Sequence, residues 1–190
     1  MDKSELRAAM KQRNRALAPD EKRAAAERIF AAVEALPEFA QARCVACFCA
    51  LPDEPPTAEA LCRWSGSKRV VVPRVEGDTM RFYDYRPDAL VRGAFGISEP
   101  AVSGGPVGAS AVDGGLVHEC PPEMLDLVVV PGVAFTRDGA RLGRGRGYYD
   151  RYLSQPELRA FCVGVCFAHQ LVDALPVEPH DRAMDAVCAG

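Results

Sequence analysis

Apolar and polar residues run along this chain in two rhythms, a helical one at the start and then short apolar runs alternating with helical stretches. Residues 2 to 17 read as a helix whose Asp2 and Glu5 stand at capping-box spacing. Pro19 suits the first turn of a second helix, from Asp20 to Leu36, which Pro37 stops. Ala25, Ile29, Phe30, Val33 and Leu36 form its apolar face. The rhythm then changes. Residues 43–50 form a first buried strand, and Thr57 can cap a short helix through Trp64. Arg69 to Pro73 and Thr79 to Tyr85 are two further strands, split by a turn at Glu76-Gly77-Asp78. Gly93 to Gly115, rich in Gly, Pro, Ser and Ala, reads as a long irregular connection. Leu127 to Pro131 is an uninterrupted apolar strand of the kind found in parallel sheets buried on both faces. A polar, Gly-rich loop follows, then a helix beginning near Tyr148, a buried strand at Phe161–Phe167 and a short last one at Ala186–Ala189. With no internal repeat and no linker, this order predicts one α/β domain over residues 1–190, its N-terminal helices 2–36 packed on the core. Ligands of such sheets sit beyond the carboxyl ends of the strands, which directs attention to the loop after Leu127–Pro131.

Composition leaves that picture standing and removes rival classes. The 190 residues are 48% apolar and 26% charged, the balance of a globular protein. A chain of this length buries roughly 70% of its unfolded surface and needs no disulfide or metal staple. The net charge of −3 is too mild for a dedicated nucleic-acid or membrane binder. No run approaches the ~18 apolar residues of a membrane span, and the charged start Met1-Asp2-Lys3-Ser4-Glu5 is not a secretory signal. Of the eight cysteines, Cys44, Cys47 and Cys49 share one apolar run and Cys162 and Cys166 another. They read as reduced core thiols, because Cys44-x-x-Cys47 has no partner pair with which to hold zinc. Reduced thiols without an export signal predict a cytoplasmic protein.

Chemistry concentrates between Phe135 and Arg151. Gly143, Gly145 and Gly147 alternate there with Arg144 and Arg146, and Arg141 precedes them. Successive N–H groups of such a loop make an anion nest, the following helix adds its positive end, and arginine forks suit phosphate oxygens. The spacing is neither Walker A nor the Gly-x-Gly-x-x-Gly dinucleotide fingerprint. Asp150 stands in the first turn of the following helix. Proteins hold Mg²⁺ with one or two carboxylates plus phosphate oxygens; the plainer role for Asp150 is to complement the helix dipole or pair with Arg146. Asp181, after His180 and four residues before Asp185, is a second acidic candidate. Lys3, Arg7 and Lys11 recur every four residues on one helical face, and Glu54 follows the first strand toward the carboxyl edge of the sheet. The small net charge therefore conceals basic segments: residues 136–151 carry five arginines against two acids, and the first 28 residues eight basic groups against five acidic.

The segment Arg141-Leu-Gly-Arg-Gly-Arg-Gly-Tyr-Tyr-Asp150 resembles the Arg-Leu-Gly-x-Gly-Lys-Gly-Tyr-Tyr-Asp motif of the 5-formyltetrahydrofolate cyclo-ligase (5,10-methenyltetrahydrofolate synthetase) family, and Pro-Gly-Val-Ala-Phe precedes it as in that family. Lys3-x-x-x-Arg7 with Lys11-Gln-Arg13, Asp53-Glu54-x-x-Thr57, Gly93-x-Phe95-Gly96-Ile97-x-Glu99-Pro100, and Leu175-Pro-Val177-x-Pro-His-Asp181-x-x-x-Asp185 support it in the right order. The resemblance implies a compact three-layer α/β domain with a mostly parallel central sheet flanked by helices. It implies an ATP- and Mg²⁺-dependent ligase that phosphorylates the formyl oxygen of 5-formyltetrahydrofolate, closes the ring through N10 and releases ADP and phosphate. Residue by residue, it implies ATP binding by Lys3, Arg7, Arg141, Gly143, Arg144, Gly145, Arg146, Gly147, Tyr148 and Tyr149. Cys49, Glu54 and the segment Arg144–Tyr148 would meet the folate, and Asp150 and Asp181 the Mg²⁺. Arg144 and Arg146 would stabilise the phosphoryl group in flight, Arg144 adding little packing. Arg146 departs from the family's usual Lys, and Pro55-Pro56 could reshape the folate rim. The implied partners are small molecules alone, with no nucleic acid and no membrane, acting on a monomer. Two rivals share the motifs: a relative that keeps the ATP loop but acts on another small substrate, and a non-catalytic folate or nucleotide binder.

Overall fold

A computed structural model describes residues 2–93, 96–101, 117–176 and 182–190. Phe95, His180, Asp181 and most of the Gly93–Gly115 connection lie outside the described residues. In chain order the elements are α1 (Lys3–Ala16), α2 (Pro19–Glu34), α3 (Pro37–Gln41), β1 (Cys44–Ala46), α4 (Ala58–Ser65), β2 (Arg69–Glu76) and β3 (Thr79–Asp84). They continue with β4 (Leu90–Arg92), β5 (Ser98–Pro100), β6 (Glu119–Cys120), β7 (Leu127–Pro131), β8 (Ala134–Phe135), β9 (Arg141–Leu142), α5 (Tyr148–Leu153), β10 (Phe161–Cys166) and β11 (Ala186–Ala189).

Among the described residues, seven strands form one sheet in the order β11-β10-β7-β1-β2-β3-β6. The pairs from β11 through β2 are parallel, and β3 and then β6 add to that edge antiparallel to their neighbours. The expected mostly parallel α/β sheet is therefore present. Period-two alternation divides its side chains between two cores. Val45, Leu127, Val129, Val163 and Val165 pack under α2, α3 and α4 with Ile29, Phe30, Val33, Phe39 and Trp64. Cys44, Ala46, Val128, Val130, Cys162 and Cys166 face the other way, toward Phe82, Phe135, Tyr152 and Leu153. Burial on both faces explains why β7 reads as an unbroken apolar run. The eight cysteines are free thiols; only Cys62 is exposed, and Cys49 is half-buried.

Several boundaries differ from the sequence expectation for local reasons. The run 43–50 pairs as a strand only over Cys44–Ala46, because the chain then leaves the sheet to build one wall of a cleft, with Phe48 still buried. Thr57 does precede α4 but does not cap it; its hydroxyl accepts from the Ala50 N–H at 3.1 Å and fixes the loop between them. β2 runs on to Glu76 because its outer half pairs with β3 alone, through the turn at Gly77. Pro37 ends one helix and opens α3. The short strands β4 and β5, β6, and the β8–β9 hairpin carry no periodicity long enough to predict.

Candidate active site

The carboxyl ends of β1 and β7 and the outer half of β2 surround a cleft of about 580 Å³. Phe48, Pro73, Val75, Met80 and Ile97 make its apolar lining. Of the residues singled out from sequence, Cys49, Glu54, Arg141, Gly143, Arg144, Arg146, Gly147, Tyr148, Tyr149 and Asp150 all line it, together with Lys11 and Arg15 from α1.

The glycine–arginine loop is held from both sides. Gly145 and Gly147 have φ of 91° and 70°, the left-handed region that a side chain would resist. A Cβ on Gly145 would face the Arg7 guanidinium at 3.5 Å, and Gly147 forms the N-cap of α5. Arg7 reaches across from α1 and donates its Nε–H to the carbonyl of Gly143 at 2.9 Å. The expected meeting of α1's basic face with the loop is thus present at Arg7. Lys3, one turn earlier, is not part of the cleft lining.

Arg141 sits on the return strand of the β8–β9 hairpin with its side chain only 5% exposed. It donates to the Pro131 carbonyl at 3.0 Å, pairs with the carboxylate of Asp150, and lies over the Tyr149 ring at 5.6 Å. Asp150 therefore pairs with Arg141 rather than with Arg146. Its carboxylate remains 41% exposed toward the cleft. Among the described residues no cluster of three or more His, Cys, Asp or Glu could hold a metal by itself. A single open carboxylate beside an anion nest suits an ion that keeps phosphate oxygens and water as its other ligands, as Mg²⁺ does. Asp181, the second expected ligand, lies outside the described residues. Asp185 is committed elsewhere: it accepts from the Cys162 N–H at 2.7 Å, at the amino end of β10.

Arg144 is tied to two carboxylates some ninety residues earlier in the chain. It donates to Asp53 at 2.9 and 3.2 Å and from Nε to Glu54 at 2.9 Å. Burial raises the Glu54 pKa against the opposing pull of Arg144. Burial also works against ionised Asp53, but its Arg144 hydrogen bonds and charge outweigh it and leave that pKa lowered. Arg144 is thus a counter-charge for a buried acid. Burial pushes Cys49 up to about 11, an inert wall of the cleft rather than a nucleophile. The Tyr149 hydroxyl is buried with no hydrogen-bond partner among the described residues, and burial together with Cys47 and Glu54 holds its pKa well above the usual phenol value. Sequence reasoning missed the pairing of Asp53 with Arg144, and it missed Asn14 and His169, which hold the Asp53 backbone from behind. Asp53 carried a signal as the acidic neighbour of Glu54; Asn14 and His169 carried none.

Comparison with known proteins places the chain in a family. The model of the 5-formyltetrahydrofolate cyclo-ligase family matches residues 1–190. A 5-formyltetrahydrofolate cyclo-ligase of Escherichia coli is 31% identical over 186 residues, 94% of either chain. One from Mycolicibacterium smegmatis is 34% identical over 133 residues, 63% of this chain and 58% of that one. The solution structure of 5,10-methenyltetrahydrofolate synthetase from Aquifex aeolicus is 33% identical, with a TM-score of 0.82 over 100% of this chain and 90% of that one. No helix among the described residues is long and apolar enough to cross a membrane. The chain belongs to the 5-formyltetrahydrofolate cyclo-ligase family, and is an enzyme of that ligase class.

Proposed function

We propose that the chain converts 5-formyltetrahydrofolate to 5,10-methenyltetrahydrofolate with ATP and Mg²⁺, releasing ADP and phosphate. The observation that carries this reading is the convergence, in one cleft, of an anion nest and a buried carboxylate, joined by Arg144. Arg7 and Lys3 from α1, Arg141 and the backbone of Gly143–Tyr149 bind the ATP phosphates. Glu54, Cys49 and the apolar lining take the folate, with the carboxylate accepting from the N–H groups of its pterin. The formyl oxygen attacks the γ-phosphorus and ADP leaves. N10 then attacks the activated carbon, loses its proton, and phosphate departs as the ring closes.

The protein supplies position and charge to these steps, with no side-chain nucleophile. Arg144, 38% exposed at the junction between nest and carboxylates, faces the transferring group. Arg146 stabilises the same group with a planar fork, where the motif that this loop resembles has a lysine. Asp150 would hold Mg²⁺ with the phosphate oxygens, and Asp181 completes that set by resemblance; the ion supplies neutralisation of phosphate charge. No part of this scheme draws on nucleic acid, membrane or a second subunit, and reduced thiols suit a cytoplasmic setting.

The test is formation of the methenyl chromophore from 5-formyltetrahydrofolate. Product that requires both ATP and Mg²⁺ is expected. Product without ATP, or ADP release stimulated equally by other reduced folates, would overturn the assignment.

A further inference from the structure

α1 carries basic side chains to the active site, yet little apolar packing holds it there. Of its fourteen residues only Met10 and Asn14 are buried, and Asn14, 4% exposed, is polar. The Nδ2 of Asn14 donates to the carbonyl of Asp53 at 2.9 Å. A carbonyl can only accept, so the Asn14 Oδ1 must face the other way, where His169 Nε2 lies 2.5 Å from it. That nitrogen therefore carries the proton. The His169 ring is itself fixed by stacking on Phe167, with centroids 5.9 Å apart and planes 11° from parallel. A chain of hydrogen bonds thus runs from the loop after β10, through α1, to the residue whose side chain grips Arg144.

We propose that Asn14 and His169 are positioning residues that seat α1 on the active site and so set its nucleotide-facing side chains. Arg7, toward the other end of the helix, adds a second hydrogen bond to the site, on the Gly143 carbonyl. Without the pair, α1 could pivot about Arg7 and carry Lys11 away from the cleft. The pair is unlike a buried amide that merely satisfies itself, because its two partners belong to two different loops at the carboxyl edge of the sheet.

The catalytic half of this inference rests on the ATP-dependent reading above; the seating of α1 does not. The test compares Asn14→Leu, similar in volume but without hydrogen bonds, with His169→Leu and the donor-retaining His169→Gln. In Asn14→Leu and His169→Leu, amides of residues 3–16 exchange with solvent about tenfold faster, while those of β7 and β10 keep wild-type rates. KM for ATP rises about tenfold in the same variants with kcat within about twofold, and His169→Gln restores both readouts. Wild-type exchange of α1 in Asn14→Leu overturns the seating. Faster exchange with KM unchanged overturns the positioning role. If the wild-type enzyme forms no methenyl product, the activity proposed above fails, and hydrogen exchange still decides whether α1 is seated by this pair.

Discussion

α1 and α2 follow one another in the chain, have similar lengths, and are held by opposite means. α2 buries Ala25, Ala26, Ile29, Phe30 and Val33 against the sheet, with Phe30 edge-on to Trp64 at 5.7 Å. α1 buries Met10 and Asn14 and is otherwise anchored by Arg7 and the Asn14–His169 pair. Apolar burial is non-directional and holds a helix wherever the stripe fits. Hydrogen bonds hold it at one angle and one height, which is what a helix needs if its side chains must meet phosphate oxygens. The first means gives stability; the second gives position at small net energy.

Phe30→Ala is the substitution that separates them most. Phe30 is 2% exposed at the centre of its cluster, so truncation leaves a cavity and costs about 3–5 kcal/mol. Thermal unfolding should fall by about ten degrees or more while KM for ATP, measured on the folded fraction, stays at the wild-type value. A KM that moved with Tm would show the helices to be one unit and erase the contrast.

Arg7→Ala is the converse. It removes the donor to the Gly143 carbonyl and a cation from the phosphate side, so KM for ATP should rise about ten- to hundredfold. Melting should move by no more than about 2 °C, since the side chain is only half-buried. Loss of stability as large as that of Phe30→Ala would place α1 in the core after all.

The same contrast governs what could be read from the sequence. α2, β7 and β10 were legible because burial writes a repeating pattern: every third or fourth residue of α2, and every residue of β7, is constrained by what it packs against. The loop at 141–150 was legible because close approach to an anion restricts residues that are consecutive in sequence. The partners of Arg144 and Asn14 were not, since Asp53 lies 91 residues from Arg144 and His169 lies 155 from Asn14. A hydrogen bond constrains one atom on each side and leaves no periodicity. That is also why spacing along the loop offers Arg146 as one candidate partner of Asp150, whereas the β8–β9 hairpin brings Arg141 to it.

The smallest expected effect is a dependence on pH that α1 should show and α2 should not. Burial lowers the pKa of His169 below the ordinary imidazole value of about 6.5, and the nearby Arg13 charge acts in the same direction. The unfolded chain therefore takes up this proton first as pH falls, so His169 contributes its full stability above about pH 6.5 and loses it on acidification toward its lowered value. Protonation leaves the Nε2–H bond to Asn14 in place; what it adds is charge beside Arg13, so the seat is loosened rather than broken. Between pH 7.5 and pH 5.5, exchange of α1 amides relative to those of α2 should rise modestly, with a change in melting of about a degree. His169→Gln, which keeps a donor and cannot titrate, should abolish the relative change and leave the rest of the acid response intact. An equal response in α1 and α2, or one that survives His169→Gln, would place the titrating group elsewhere and leave the seating of α1 independent of pH.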